Sequence, residues 1–335
     1  MSSYKRLVAF TTVLTFLLIM LGAFVRLTDA GLGCPDWPGC YGKLTPTHAA
    51  EEIALAVQIQ GGDHGPVSIP KAWKEMVHRY VATFLGILII GIMVMAWKKR
   101  SELKQSPALA TWLFFAVCLQ GAFGAWTVTL LLKPAIVTGH LIGGMTILGM
   151  LTWLWLRQTS PARTVASVQN ASRLRLLARV GLLAVIAQII LGGWVSTNYA
   201  AVVCTDFPTC HGSMWPNMEF DHAFHIVREL GETADGEILN VASLTAIHFI
   251  HRLGALVVTA ILAFLVFALW RSPGSKPLAV KVAAVLGLQI AMGIGNVVFQ
   301  LPLWLAVAHN GGAALLLVTL ILVNYRVAGN RHRIS

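Results

Sequence analysis

Eight runs of about 20 apolar residues leave this chain little choice of fold, because a segment of that length in lipid satisfies its backbone only as a helix. The runs fall at roughly 7–25, 76–97, 109–132, 135–156, 180–197, 246–270, 282–301 and 303–325. Of the 335 residues, 56% are hydrophobic and only 12% are charged, against about 25% charged in a soluble domain. The chain therefore reads as an all-α integral membrane protein. The first run follows Lys5 and Arg6 in the manner of a secretory signal. It continues beyond a signal's apolar core and has a counterpart at 180–197, so it reads as a helix.

A net charge of +11 suggests nucleic acid until its distribution is followed. Lys5, Arg6, Lys98 to Arg100, Lys104, Arg157, Arg163, Arg173, Arg175, Arg179, Arg271, Lys276, Lys281, Arg326, Arg331 and Arg333 all fall on one side of the alternating spans, with Glu102 as their acidic company. The positive-inside rule makes that side cytoplasmic and places both termini there. The long loops 26–75 and 198–245 are then external. Basic patches alternating with membrane spans exclude a nucleic-acid partner; the partner is the lipid bilayer.

The chain is also internally duplicated. Cys34-Pro-Asp-Trp-Pro-Gly-Cys40 returns about 170 residues later as Cys204-Thr-Asp-Phe-Pro-Thr-Cys210. His78-Arg79 returns as His251-Arg252, Gln120 as Gln289, and His140 as His309. Four spans per half is an even number, so both halves insert with the same orientation. The expected architecture is two tandem four-helix bundles, 1–160 and 180–335, joined by a polar cytoplasmic linker at 161–179. A pseudo-two-fold axis along the membrane normal would relate them.

With both termini inside, even-numbered spans start at the external face. His78, His140, His251 and His309 are then expected in the first turn or two of such spans, at one depth. A single interfacial His is unremarkable. Two per half, at matched positions on facing helices, is how bundles build cofactor sites, and paired imidazoles are axial ligands of haem iron. Zinc fits less well, since no third ligand recurs with the pairs. Glu75 lies one turn before His78, whereas His248 holds that place before His251. This asymmetry suggests chemistry at one site and electron transfer at the other; a helix-dipole role for Glu75 is the alternative. Arg79 and Arg252 are candidate propionate partners or lipid-headgroup contacts, and Arg26 is a weaker candidate.

Five residues between cysteines is comfortable for a disulfide and wrong for common zinc spacings. Cys34–Cys40 and Cys204–Cys210 are thus expected as bridges in an oxidising compartment, with a redox role for the first left open. Cys118, inside a span, reads as an inert packing residue. His48, His64, His211, His222 and His225 read as solvated loop residues, with ring packing for His211.

Arg26-Leu27-Thr28, Gly31-Leu32-Gly33-Cys34-Pro35-Asp36-Trp37-Pro38, Glu75-x-x-His78-Arg79, His140, His248-x-x-His251-Arg252 and His309 together resemble the haem A synthase family over essentially the whole chain. The resemblance implies oxidation of a haem O methyl group to a formyl group, through a hydroxymethyl intermediate, for a terminal oxidase. It implies that His78 and His140 hold the substrate haem, that Glu75 is the catalytic carboxylate, and that His251 and His309 hold a permanent haem b. Haem O synthase would supply the substrate, an unidentified electron acceptor would receive the electrons, and the setting would be a bacterial inner membrane. A homo-oligomer is compatible with these features. The competing readings are a di-haem b-type electron-transfer protein without catalysis, a thiol–quinone oxidoreductase and a transporter. The first leaves the Glu75/His248 asymmetry without a purpose, the second idles four histidines, and the third places polar groups at the midplane.

Overall fold

The computed structural model describes residues 2–60, 65, 67–159 and 171–328. Eight helices in it are long and apolar enough to cross a membrane: α1 (Ser3–Leu27), α2 (Ile69–Lys98), α3 (Ala108–Thr129), α4 (Pro134–Thr159), α5 (Ala171–Thr197), α6 (Val241–Arg271), α7 (Lys276–Val298) and α8 (Leu303–Ala328). The protein is a multi-pass membrane protein, as the apolar runs require. Large apolar side chains such as Phe115, Leu183 and Phe264 point outward, as expected of helices solvated by lipid.

The helix ends follow local chemistry. The side chains of Ser2, Ser68 and Asn240 accept from the backbone N–H three residues on, which caps α1, α2 and α6. Arg26, Lys98, Arg157, Arg271 and Arg326 sit in the last turns of α1, α2, α4, α6 and α8, where the helix dipole favours cations.

Several helices start before their apolar runs. Helices α2 and α6 begin at Ile69 and Val241, before their apolar runs, because their polar caps lie upstream. His78 and His251 therefore sit about 15 Å along their helices at 1.5 Å per residue, beyond the first two turns. Of the expected linker, 171–179 is the start of α5, since Leu174 and Ala178, one turn apart, are buried in the core. The remainder, 161–170, lies outside the described residues.

Each half forms a ring. Helices α1–α2–α3–α4 pack in sequence and α4 returns to α1; α5–α6–α7–α8 do the same. The halves meet through α1 with α8, α4 with α5, and α4 with α8. One apolar cluster fills the first ring with Val8, Leu85, Ile89, Leu113 and Leu151. A second fills the other ring and draws Met145, Leu148 and Leu156 from α4 across the seam. Cys118 does not pack inside: it lies on the outward face of α3 with Phe115 and Leu119. Hydrophobicity is spread almost evenly round that helix, so apolarity alone does not tell which face turns in.

Candidate functional site

His78 on α2 and His140 on α4 face each other across the first ring, with ring centres 6.4 Å apart. Each ring lies against a helical glycine of the preceding helix. A Cβ at Gly22 would stand 3.1 Å from His78 Nε2, and one at Gly124 would stand 3.3 Å from His140 Cε1. The second half repeats the arrangement, with Gly192 at 3.0 Å from His251 and Gly293 at 3.1 Å from His309. A larger residue at any of these places would push into an imidazole.

Glutamines support three of the four rings. Gln120 Nε2 donates to the His140 carbonyl at 2.9 Å and lies 3.5 Å from its ring nitrogen. Gln188 Nε2 donates to the His251 carbonyl at 2.9 Å and to its Nδ1 at 3.0 Å. Gln289 Nε2 lies 3.4 Å from His309 Nε2. The repeated Gln120 and Gln289 were visible in the sequence; their role was not. The signal that could have shown it is a glycine three residues after each supported histidine, at Gly143, Gly254 and Gly312.

Above the rings, each cysteine loop is tied to its helix. Cys34–Cys40 and Cys204–Cys210 are both disulfides. Within the first loop the Asp36 carboxylate accepts from Tyr41 N at 2.6 Å and Gly42 N at 2.7 Å, which the left-handed backbone at Gly42 (φ 71) permits. Asp206 does the same for His211 and Gly212 at 2.8 and 2.9 Å. A hydrogen bond from Thr209, with those from the Gly212 and His211 backbone, holds the Asp206 carboxyl down to about 2.

Arg79 then clamps the first loop from below, donating to Gly39 O at 2.5 Å, Asp36 O at 2.7 Å and Cys34 O at 3.4 Å. It also pairs with buried Glu75 at 2.5 Å, whose other oxygen accepts from Cys34 N at 2.9 Å. Arg252 clamps the second loop through Thr209 O at 2.8 Å, Asp206 O at 3.1 Å and Cys204 O at 3.2 Å, and its Nε donates to His248 at 3.3 Å. Arg26 reaches across the seam to Ser196 O at 2.8 Å, with its guanidinium 4.0 Å from the Tyr199 ring centre. All three arginines thus spend donors on protein carbonyls.

Among the other histidines, His48 bonds Thr45 and His211 bonds Thr245 at 2.8 and 3.2 Å. His222 and His225 lie 6.1 Å apart, ring to ring. His64 lies outside the described residues. Cys204, Cys210 and His211 are close enough to share a metal ion, but both sulfurs are already bonded to each other and offer no thiolate.

Comparison with known proteins decides the family. The model for COX15-CtaA, cytochrome oxidase assembly protein, matches residues 5–321. This chain belongs to that family. It is 42% identical over 319 residues to a protein of Shewanella oneidensis named Heme A synthase, covering 95% of each chain. A Heme A synthase of Rhizorhabdus wittichii is 27% identical over 328 residues, covering 92% of this chain and 89% of the relative. One from Halalkalibacterium halodurans is 28% identical over 225 residues, covering 65% and 68%.

The residues present fit a haem between His78 and His140 of this COX15-CtaA member. A spacing of 6.4 Å between ring centres leaves room for one ion at about 2 Å from a nitrogen of each imidazole, the usual length of a metal–imidazole bond. The ring nitrogens His140 Nδ1 and His309 Nδ1 are buried without a partner, as are the Oε1 atoms of Gln120, Gln188 and Gln289. The unpartnered ring nitrogens match a site completed by a bound group.

Proposed function

We propose that this protein is a haem A synthase, oxidising the methyl group of haem O to a formyl group by way of a hydroxymethyl intermediate. The observation that carries the reading is the duplicated histidine pair, each ring set against a glycine, within a member of the cytochrome oxidase assembly family. The two bundles, 1–160 and 180–335, are related by a pseudo-two-fold axis along the membrane normal. That arrangement is supported by helix pairings that map onto themselves when the halves are exchanged. The protein sits in a bacterial inner membrane with both termini cytoplasmic and the cysteine loops external, following its basic residues.

His78 and His140 hold the substrate haem O, delivered by haem O synthase. His251 and His309 hold a permanent haem b, which supplies one-electron transfer toward an external acceptor. Glu75 is the catalytic carboxylate. Arg79 and the Cys34 N–H fix its two oxygens, so the group is preorganised to stabilise positive charge or to take a proton as the methyl group is oxidised. In the second half His248 replaces the carboxylate, consistent with a site that moves electrons only. The loops cap both sites and limit water. Arg79, Arg252 and Arg26 would be the cationic partners of the propionates, each shared with loop or helix carbonyls.

The test is extraction and chromatography of haem from membranes that contain this protein and a source of haem O. Haem A that disappears in His78→Ala supports the synthase and its catalytic half. Haem B alone, with a low-spin spectrum, favours the electron-transfer protein.

A further inference from the structure

The second half leaves open a groove whose counterpart in the first half carries larger side chains. It runs between α6 and α7 on the outward face, with Phe267 and Trp270 as its wall, Leu286 as its floor and a volume of about 420 Å³. That lies within the range of about 300–1,000 Å³ usual for small-molecule sites. Ala263, Ala283 and Gly287 make the room, and a Cβ built on Gly287 meets nothing within 4 Å. The alignment that matches His78 with His251 and Gln120 with Gln289 puts Ile90, Phe114 and Cys118 at these three places in the first half. Each is bulkier than its counterpart. The first half also pins its matched tryptophan, since Trp97 Nε1 donates to Thr111 Oγ1 at 3.0 Å and joins α2 to α3. Val280 stands in the place of Thr111 in the second half. Among the described residues the Trp270 indole N–H has no hydrogen-bond partner. Cations gather at this end of the groove. The Arg271 guanidinium lies 5.2 Å from the Phe267 ring centre, and the Lys276 ammonium 5.6 Å from that of Trp270. No Asp or Glu follows Glu237 in the sequence, so α6, α7 and α8 offer these cations no carboxylate.

We propose that this groove is a binding site for an anionic phospholipid. One acyl chain lies along Ala263, Ala283 and Gly287, and the phosphate is held by Arg271, Lys276 and the indole N–H of Trp270. The groove matches such a molecule at both ends. Its walls are apolar where a chain would run, and a guanidinium and an ammonium stand where the headgroup charge falls. Basic pockets between membrane helices recruit anionic headgroups in this way, and charge-assisted hydrogen bonds to phosphate are among the strong ones. An indole turns its apolar body to the chain and its N–H to the headgroup. The site is separate from the histidine pairs, because Phe267 lies about 24 Å along α6 from His251 at 1.5 Å per residue.

The experiment uses the purified full chain in detergent, stripped of lipid and titrated with phosphatidylglycerol or phosphatidylcholine, while native mass spectrometry counts the lipids retained. One phosphatidylglycerol should be held about tenfold more tightly than phosphatidylcholine. Arg271→Gln with Lys276→Gln should remove that preference, a loss of about tenfold for two cations, and leave phosphatidylcholine unchanged. Ala283→Phe with Gly287→Cys, which installs the first half's own residues, should weaken both lipids several-fold. The charge variant decides the case if the groove-filling variant fails to fold. Equal retention of the two lipids by the wild type, or retention untouched by both double variants, overturns the proposal. A chain that dimerises only while Ala283 and Gly287 are intact also overturns it, by making the groove a contact between copies. Displacement of phosphatidylglycerol by an equal concentration of an isoprenoid alcohol overturns it too, by assigning the groove to an uncharged chain.

Discussion

The two cysteine loops are closed by the same bond, internally braced by the same aspartate and clamped by an arginine at the same register, yet they grip their helices through different chemistry. In the first, a buried carboxylate stands between clamp and loop: Glu75 takes Arg79 on one oxygen and Cys34 N–H on the other. In the second, His248 receives one hydrogen bond from Arg252. What duplication kept is the scaffold; what it varied is the one residue placed between the loop and the histidine pair. A carboxylate that is already satisfied as structure is a costly choice unless its charge serves the site below it.

That contrast can be broken at several points. The largest effect is expected from the ligands: His78→Ala should abolish haem A while keeping the second-half haem, and His251→Ala should lose that haem, both read by extraction and pyridine haemochrome spectra. Next, Glu75→Gln should retain haem binding and lower haem A yield by about a hundredfold or more, in the range of a lost acid–base group; an unchanged yield removes Glu75 from the chemistry. Third, Arg79→Ala strands a buried carboxylate and should cost about 3–5 kcal/mol. Arg252→Ala, facing a neutral imidazole and carbonyls, should cost about 1.5–3 kcal/mol. Thermal unfolding in detergent compares the two, and equal losses would erase the contrast. Fourth, replacing either cysteine pair by serine should cost about 2 kcal/mol, because both bridges close loops of the same sequence separation, 6 residues. A clear inequality would assign one loop a further role.

The smallest effect concerns acid. The Asp206 carboxyl is depressed from 3.8 to about 2 by its hydrogen bonds. Its contribution to loop order is then complete above pH 4 and fades as pH falls through 2. Exchange of the Gly212 amide, corrected for its intrinsic rate, should accelerate only in that window.

Much of this was legible beforehand. Length and apolarity determine the spans, and matched His and Cys positions expose the repeat without any contact being known. What stayed hidden depended on faces and depth. Hydrophobicity is spread almost evenly round α3, so apolarity alone does not tell that Cys118 looks outward. The start of α2 is set by Ser68 and Pro70, seven residues above the apolar run, so His78 lies farther along its helix than the apolar run alone suggests. The arginines read as partners of propionates or of lipid headgroups because the loop carbonyls that Arg79 and Arg252 hold belong to residues 40 or more positions away. The Gln–Gly pairs escaped because their meaning requires knowing which helices touch.

Helix α8 touches α7, α5, α4 and α1, and so belongs to its own ring and to the seam at once. It is also the eighth helix to leave the ribosome, at about 5–20 residues per second. Until it arrives, the first ring can form but its flank on α1 and α4 stays open to lipid, and the second ring lacks the helix bearing His309. Assembly is thus ordered by the chain itself: the ring bearing His78 and His140 is complete first, and the ring bearing His251 and His309 closes the molecule.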